Sequence, residues 1–184
     1  MGRADQSRGS KYATKRLRRA ILLAPFSSKW GETMRSAYRI LAIIIAIEVV
    51  IQAMMIVFAV AGLGHWVDGG GTLDKAAFES EDLSFTGVAG FMVHGINGMM
   101  IIPLLGLALL VVSFFAKVPG GVKLAAIVLG SIVVQVFAGI LGHDAPYIGM
   151  IHGLNAFVLF SAAVYAARTA RTAGVETPTT AVAA

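Results

Sequence analysis

Apolar residues run along this chain in four long blocks, at about residues 40–63, 87–115, 124–142 and 147–167. Each block approaches or exceeds the roughly 20 residues that a helix needs to cross ~30 Å of hydrocarbon. Blocks of that length predict four transmembrane helices rather than buried strands. Turn chemistry separates them: Asp68-Gly69-Gly70-Gly71, then Lys117 to Lys123 with Pro119-Gly120-Gly121, then His143-Asp144-Ala145-Pro146. Short connections favour neighbours that run in opposite directions, so the expected fold is all-α, an integral membrane antiparallel four-helix bundle.

A few polar positions interrupt the blocks. Glu48 and Gln52 lie four apart and share a face of the first helix. The second helix carries His94, Asn97 and Pro103, and the proline predicts a kink. Ser131 and Gln135 mark the third helix, His152 and Asn155 the fourth. These positions echo one another. His94-Gly95-Ile96-Asn97-Gly98 matches His152-Gly153-Leu154-Asn155-Ala156, and Leu63-Gly64-His65 matches Leu141-Gly142-His143. The echo predicts two copies of one helical hairpin, related by an axis along the membrane normal.

Outside the blocks the chain is polar. Residues 1–39 form a basic segment, in which 11–23 is expected either as a short amphipathic helix on an anionic membrane surface or as a charged tail. Residues 168–184 are expected to be a disordered tail. Of the 15 basic residues, ten precede the first block, two lie between the second and third, and two follow the fourth. The positive-inside rule then puts both termini in the cytoplasm, and the acidic 64–86 loop outside a plasma membrane.

Composition agrees with the pattern. The chain is 57% hydrophobic and 14% charged, with mean hydropathy +0.79. Soluble domains average about 45–50% apolar and about 25% charged. Cysteine is absent, which excludes disulfides, iron–sulfur clusters and thiolate metal sites. The net charge of +5 does not imply nucleic acid, since no aromatic stacking surface accompanies it.

A histidine inside a membrane span is costly and points to function. His94 and His152 fall at similar depth on helices that enter from the same side. Two facing imidazoles suit the axial positions of haem iron; zinc would require three or four clustered ligands. Gly95 and Gly153 follow the histidines and leave room beside them. Other readings of the pair are a hydrogen-bonded structural contact, a proton relay or a different metal. His65 and His143, at the outer ends of their helices, are weaker candidates for the same cofactor. Glu48, Gln52, Asn97, Gln135 and Asn155 complete the intramembrane polar set. No nucleophile–base arrangement or phosphate-binding loop indicates a hydrolase.

Histidines on the second and fourth of four membrane helices resemble the transmembrane b-type cytochromes, and in particular one four-helix half of heme A synthase. That family places one histidine on each of those helices, which correspond to His94 and His152; Gln135 to Gly142 followed by His152-Gly-Leu-Asn-Ala156 is similar in style. The resemblance covers about residues 40–167 and implies a bound haem b. That family also carries a glutamate four residues before the second-helix histidine, where this chain has Gly90. Its oxygenase activity is therefore not expected. A small four-helix membrane family of the same ancestry fits equally well.

The function expected is bis-histidine haem binding near the outer face, serving electron transfer or redox sensing. An accessory or assembly subunit of a larger membrane complex, docking through the 64–86 loop, is the alternative. A small proton-coupled transporter using Glu48 and Gln52 ranks third. The expected partners are the lipid bilayer and a redox partner or membrane complex.

Overall fold

A computed structural model describes the backbone of residues 3–79 and 84–173, and the side chains of 29–77 and 84–173. Among the described residues all regular structure is helical: α1 (Arg3–Asp68), α2 (Lys75–Glu79), α3 (Val88–Ile96), a π-helical turn (Asn97–Ile101), α4 (Ile102–Ser113), α5 (Gly121–Asp144) and α6 (Pro146–Thr172). Four stretches are long and apolar enough to cross a membrane: Lys29–Asp68, Val88–Ser113, Gly121–Asp144 and Pro146–Thr172.

The first, third and fourth helices outrun their apolar blocks, whereas the second, Val88–Ser113, ends just short of its block. α1 continues through the basic segment because Lys, Arg, Glu and Ala are good helix formers whatever their polarity. It stops where Gly70 takes a left-handed φ of 95°. His143 and Asp144 end α5 as helix, and a single extended residue, Ala145, separates α5 from α6. Pro146 opens α6, where its missing N–H costs nothing. α6 runs on to Thr172, so Arg168 and Arg171 are helical rather than part of a tail. The expected amphipathic face of 11–23, the acidic positions Glu81 and Asp82, and residues 174–184 lie outside the described side chains.

Pro103 acts one turn upstream of itself. Ile102 N–H bonds the Asn97 carbonyl five residues back, which makes the turn a π-bulge. Proline offers no N–H and crowds the carbonyl four residues before it. One extra residue in the preceding turn absorbs that conflict without ending the helix.

α1 packs against α3, α4 and α6, and α5 packs against α4 and α6; α3 and α6 touch marginally at most. Two hydrogen bonds fix the level of the last two helices on α1. Arg35 Nη1 donates to the Ala173 carbonyl at 2.6 Å, and Tyr38 Oη donates to the Gly121 carbonyl at 3.0 Å. The end of α6 and the start of α5 therefore sit beside residues 35–38 of α1. Above that level lies one apolar core containing Tyr38, Ile45, Leu109, Val128, Ile132 and Leu159, with Ala42, Ala125, Ala163 and Ala166 between them. The alanines let the helix backbones approach. At the opposite end, glycines set the approach. A Cβ on Gly62 would fall within bonding distance of the Thr86 carbonyl oxygen, and one on Gly142 would lie 2.9 Å from Gly149 Cα.

Candidate functional site

His94 stands on α3 and His152 on α6, both half-buried, in the part of the bundle beyond the apolar core. Their ring centroids are 6.0 Å apart and the planes are inclined by 59°. The site is assembled by α1 and α5. His94 Nδ1 lies 3.1 Å from the carbonyl oxygen of Gln52 on α1, and His152 Nδ1 lies 2.9 Å from that of Gln135 on α5. A carbonyl oxygen only accepts, so each Nδ1 must donate. In a neutral ring this contact selects the Nδ1–H tautomer and leaves the Nε2 lone pair free. Outer hydrogen bonds of this kind orient metal-binding histidines and raise their basicity.

One turn deeper, the asparagines make the second layer. Asn97 Nδ2 donates to Glu48 Oε2 at 2.7 Å. Asn155 Nδ2 donates to Gln135 Oε1 at 2.7 Å and to the Ser131 carbonyl at 2.9 Å, while Ser131 Oγ donates to Asn155 Oδ1 at 3.0 Å. The two layers are alike except where Glu48 stands opposite Ser131. Glu48 captures Asn97, and the Gln52 amide is left buried, with neither Nε2 nor Oε1 bonded among the described residues. That amide sits against Gly98, whose Cβ would lie 3.5 Å from Gln52 Nε2. An unsatisfied buried amide costs about 1–3 kcal/mol.

The glycines divide into two kinds. Gly95 and Gly153 face open space, with nothing within 4 Å of a built Cβ. Gly90 is closed: a Cβ there would lie 2.5 Å from the Met55 carbonyl oxygen and 3.0 Å from Ala59 Cβ. The backbone of α1 leaves no room for a carboxylate at position 90. Gly139 backs the His152 ring, a Cβ there falling 3.0 Å from Nδ1.

The outer histidines stand apart. His65 is exposed in the last turn of α1, and His143 is exposed in the last turn of α5. Measured from Gln52 and Gln135 at 1.5 Å per residue, they lie roughly 20 Å and roughly 12 Å along their helices from the histidine pair. Among the described residues no group of three or more His, Cys, Asp or Glu side chains clusters. His94 and His152 thus come together without a third such side chain among the described residues.

Two contributors escape a reading of the sequence: the main-chain carbonyls of Gln52 and Gln135, since every residue has one. The shared spacing of Glu48/Gln52 and Ser131/Gln135, four apart in each helix, is the signal that points to them. No protein-family model, curated protein or solved structure matches the chain.

Proposed function

We propose that the chain is a membrane b-type haem protein whose iron is held by His94 and His152 near one end of the bundle. The observation that carries this reading is the pair of matched Nδ1–H to carbonyl bonds, which leave both Nε2 atoms without a hydrogen bond among the described residues while the two ring centroids lie 6.0 Å apart. Two imidazoles bound end-on to one ion, at about 2 Å each, bring their ring centroids to roughly 6 Å. The separation found, 6.0 Å, suits that arrangement. The marginal contact between α3 and α6 favours a flat group lying between those helices.

When bound, haem supplies a one-electron couple inside the bundle. The chain's own residues hold and tune it. The Gln52 and Gln135 carbonyls fix the rings, and the Asn97 and Asn155 layer pins the helices that carry them. Gly90, with no space for an acid, supports electron transfer or redox sensing as the use.

In this reading the four long helices cross the plasma membrane as two repeated antiparallel hairpins, with both termini cytoplasmic and the 64–86 loop outside. The like pairings Gln52/His94 and Gln135/His152 support the repeat. Their register differs from that of the Leu-Gly-His echo by five residues, because Gln52 and Gln135 are 83 apart whereas His65 and His143 are 78 apart. One haem near one face does not span ~30 Å, so a redox partner or larger complex completes the path. The test is the visible spectrum of the protein purified after expression with ample haem, oxidised and reduced. A Soret band that shifts on reduction is expected; its absence would overturn the proposal.

A further inference from the structure

At the end of the bundle away from the histidines, a groove of about 270 Å³ runs between α1 and α6. Its walls change character along its length. Ile43 and Ile47 of α1 and Phe160 and Val164 of α6 make an apolar trough. Arg39, Arg168 and Arg171 line its other end. The Arg35–Ala173 bond sets these three at one level, since it places the end of α6 beside residue 35 of α1.

The three arginines differ from Arg35, which is spent on the α6 terminus. Among the described residues none of the three has an ion-pair or hydrogen-bond partner, and all are exposed. No described acid stands within ion-pair distance of them. Three exposed guanidinium groups above an apolar trough, unpaired among the described residues, are complementary to one chemistry: a phosphodiester anion joined to an acyl chain. From Arg39 to Val50 the trough extends roughly 16 Å along α1, close to the length of the upper part of an extended acyl chain. Arginine binds phosphate oxygens through paired N–H groups, which a zwitterionic headgroup answers less well because it brings its own cation. Basic pockets between membrane helices bind anionic headgroups in this way.

We infer that the α1–α6 groove is a binding site for one anionic phospholipid, its phosphate on Arg39, Arg168 and Arg171 and its acyl chain along Ile43, Ile47, Phe160 and Val164. This rests on the membrane-spanning reading of the four helices and is independent of haem. Held there, the lipid would close the α1–α6 seam on the side where the helices otherwise present cations to each other.

The test uses the full chain in neutral detergent. Native mass spectrometry counts the lipid retained from mixed micelles of phosphatidylglycerol or phosphatidylcholine. The expected result is one tightly held phosphatidylglycerol per chain, retained at least about tenfold better than phosphatidylcholine. The R39Q/R168Q/R171Q variant should lose that preference, and the corresponding Lys triple variant should keep most of it, at unchanged helicity by circular dichroism. Equal retention of the two lipids, or an unchanged preference in the Gln variant, would overturn the proposal. So would displacement of phosphatidylglycerol by millimolar inorganic phosphate, which would make the site one for free phosphate. A chain that stays monodisperse without detergent would instead overturn the membrane reading itself.

Discussion

The two ends of the bundle are held together by different forces. Around Tyr38, Ile45, Leu109, Ile132 and Leu159 the helices interlock through fully buried apolar side chains and alanines. Around His94 and His152 that core is missing, and the contacts are hydrogen bonds to backbone and amide groups together with glycine approaches. In lipid there is little hydrophobic drive between helices, so packing and hydrogen bonds must each supply association. The difference teaches where a ligand can go. A jigsaw of buried side chains leaves no slot, whereas α3 and α6, which touch marginally at most, are joined to the bundle by pointed polar contacts.

The largest loss of stability is expected at the packed end. Leu159→Ala removes a side chain that is 1% exposed and should cost about 2–4 kcal/mol, read as unfolding in a denaturing detergent titration. A loss below about 1 kcal/mol would mean that this end is not the stabilising one. At the open end, Gly62→Ala forces a methyl onto the Thr86 carbonyl and should cost about 1–3 kcal/mol by the same titration. Tyr38→Phe removes the donor to Gly121 and should cost about 1 kcal/mol, with slower or incomplete docking of the start of α5 seen by hydrogen exchange at residues 121–124.

The smallest effects sharpen the comparison between the two polar layers. Gln135→Leu deletes the acceptor of Asn155 and should destabilise by about 0.6–1.5 kcal/mol. Gln52→Leu deletes an amide without a hydrogen-bond partner among the described residues and should be neutral or slightly stabilising. Because His94 uses the Gln52 main-chain carbonyl, this change leaves the histidine contact in place. Equal losses in the two variants would show that the Gln52 amide has a partner after all.

Much of this architecture is legible in the sequence. Four apolar blocks give four long helices, because length and hydropathy are enough to specify such elements. The ends are less legible. α1 extends into the basic segment, and α6 includes Arg168 and Arg171, since charged residues favour a helix as readily as apolar ones. Pro103 signals an irregularity, but whether it kinks the helix or widens the turn before it depends on how the freed backbone groups are bonded. His94 and His152 stand out as costly residues in matching contexts, and the fold does bring their rings together. The carbonyls that orient them carry no side-chain signature. The exchange of Ser131 for Glu48, which decides that Gln52 goes unpaired, becomes visible only once the asparagines are placed.

Whether His94 and His152 together hold one haem is decided by reconstituting the detergent-solubilised chain with haem and comparing its spectrum with those of His94→Ala and His152→Ala. A low-spin six-coordinate spectrum is expected for the unaltered chain, with its loss in each single variant at unchanged helicity. A variant that keeps the full low-spin spectrum would contradict that expectation.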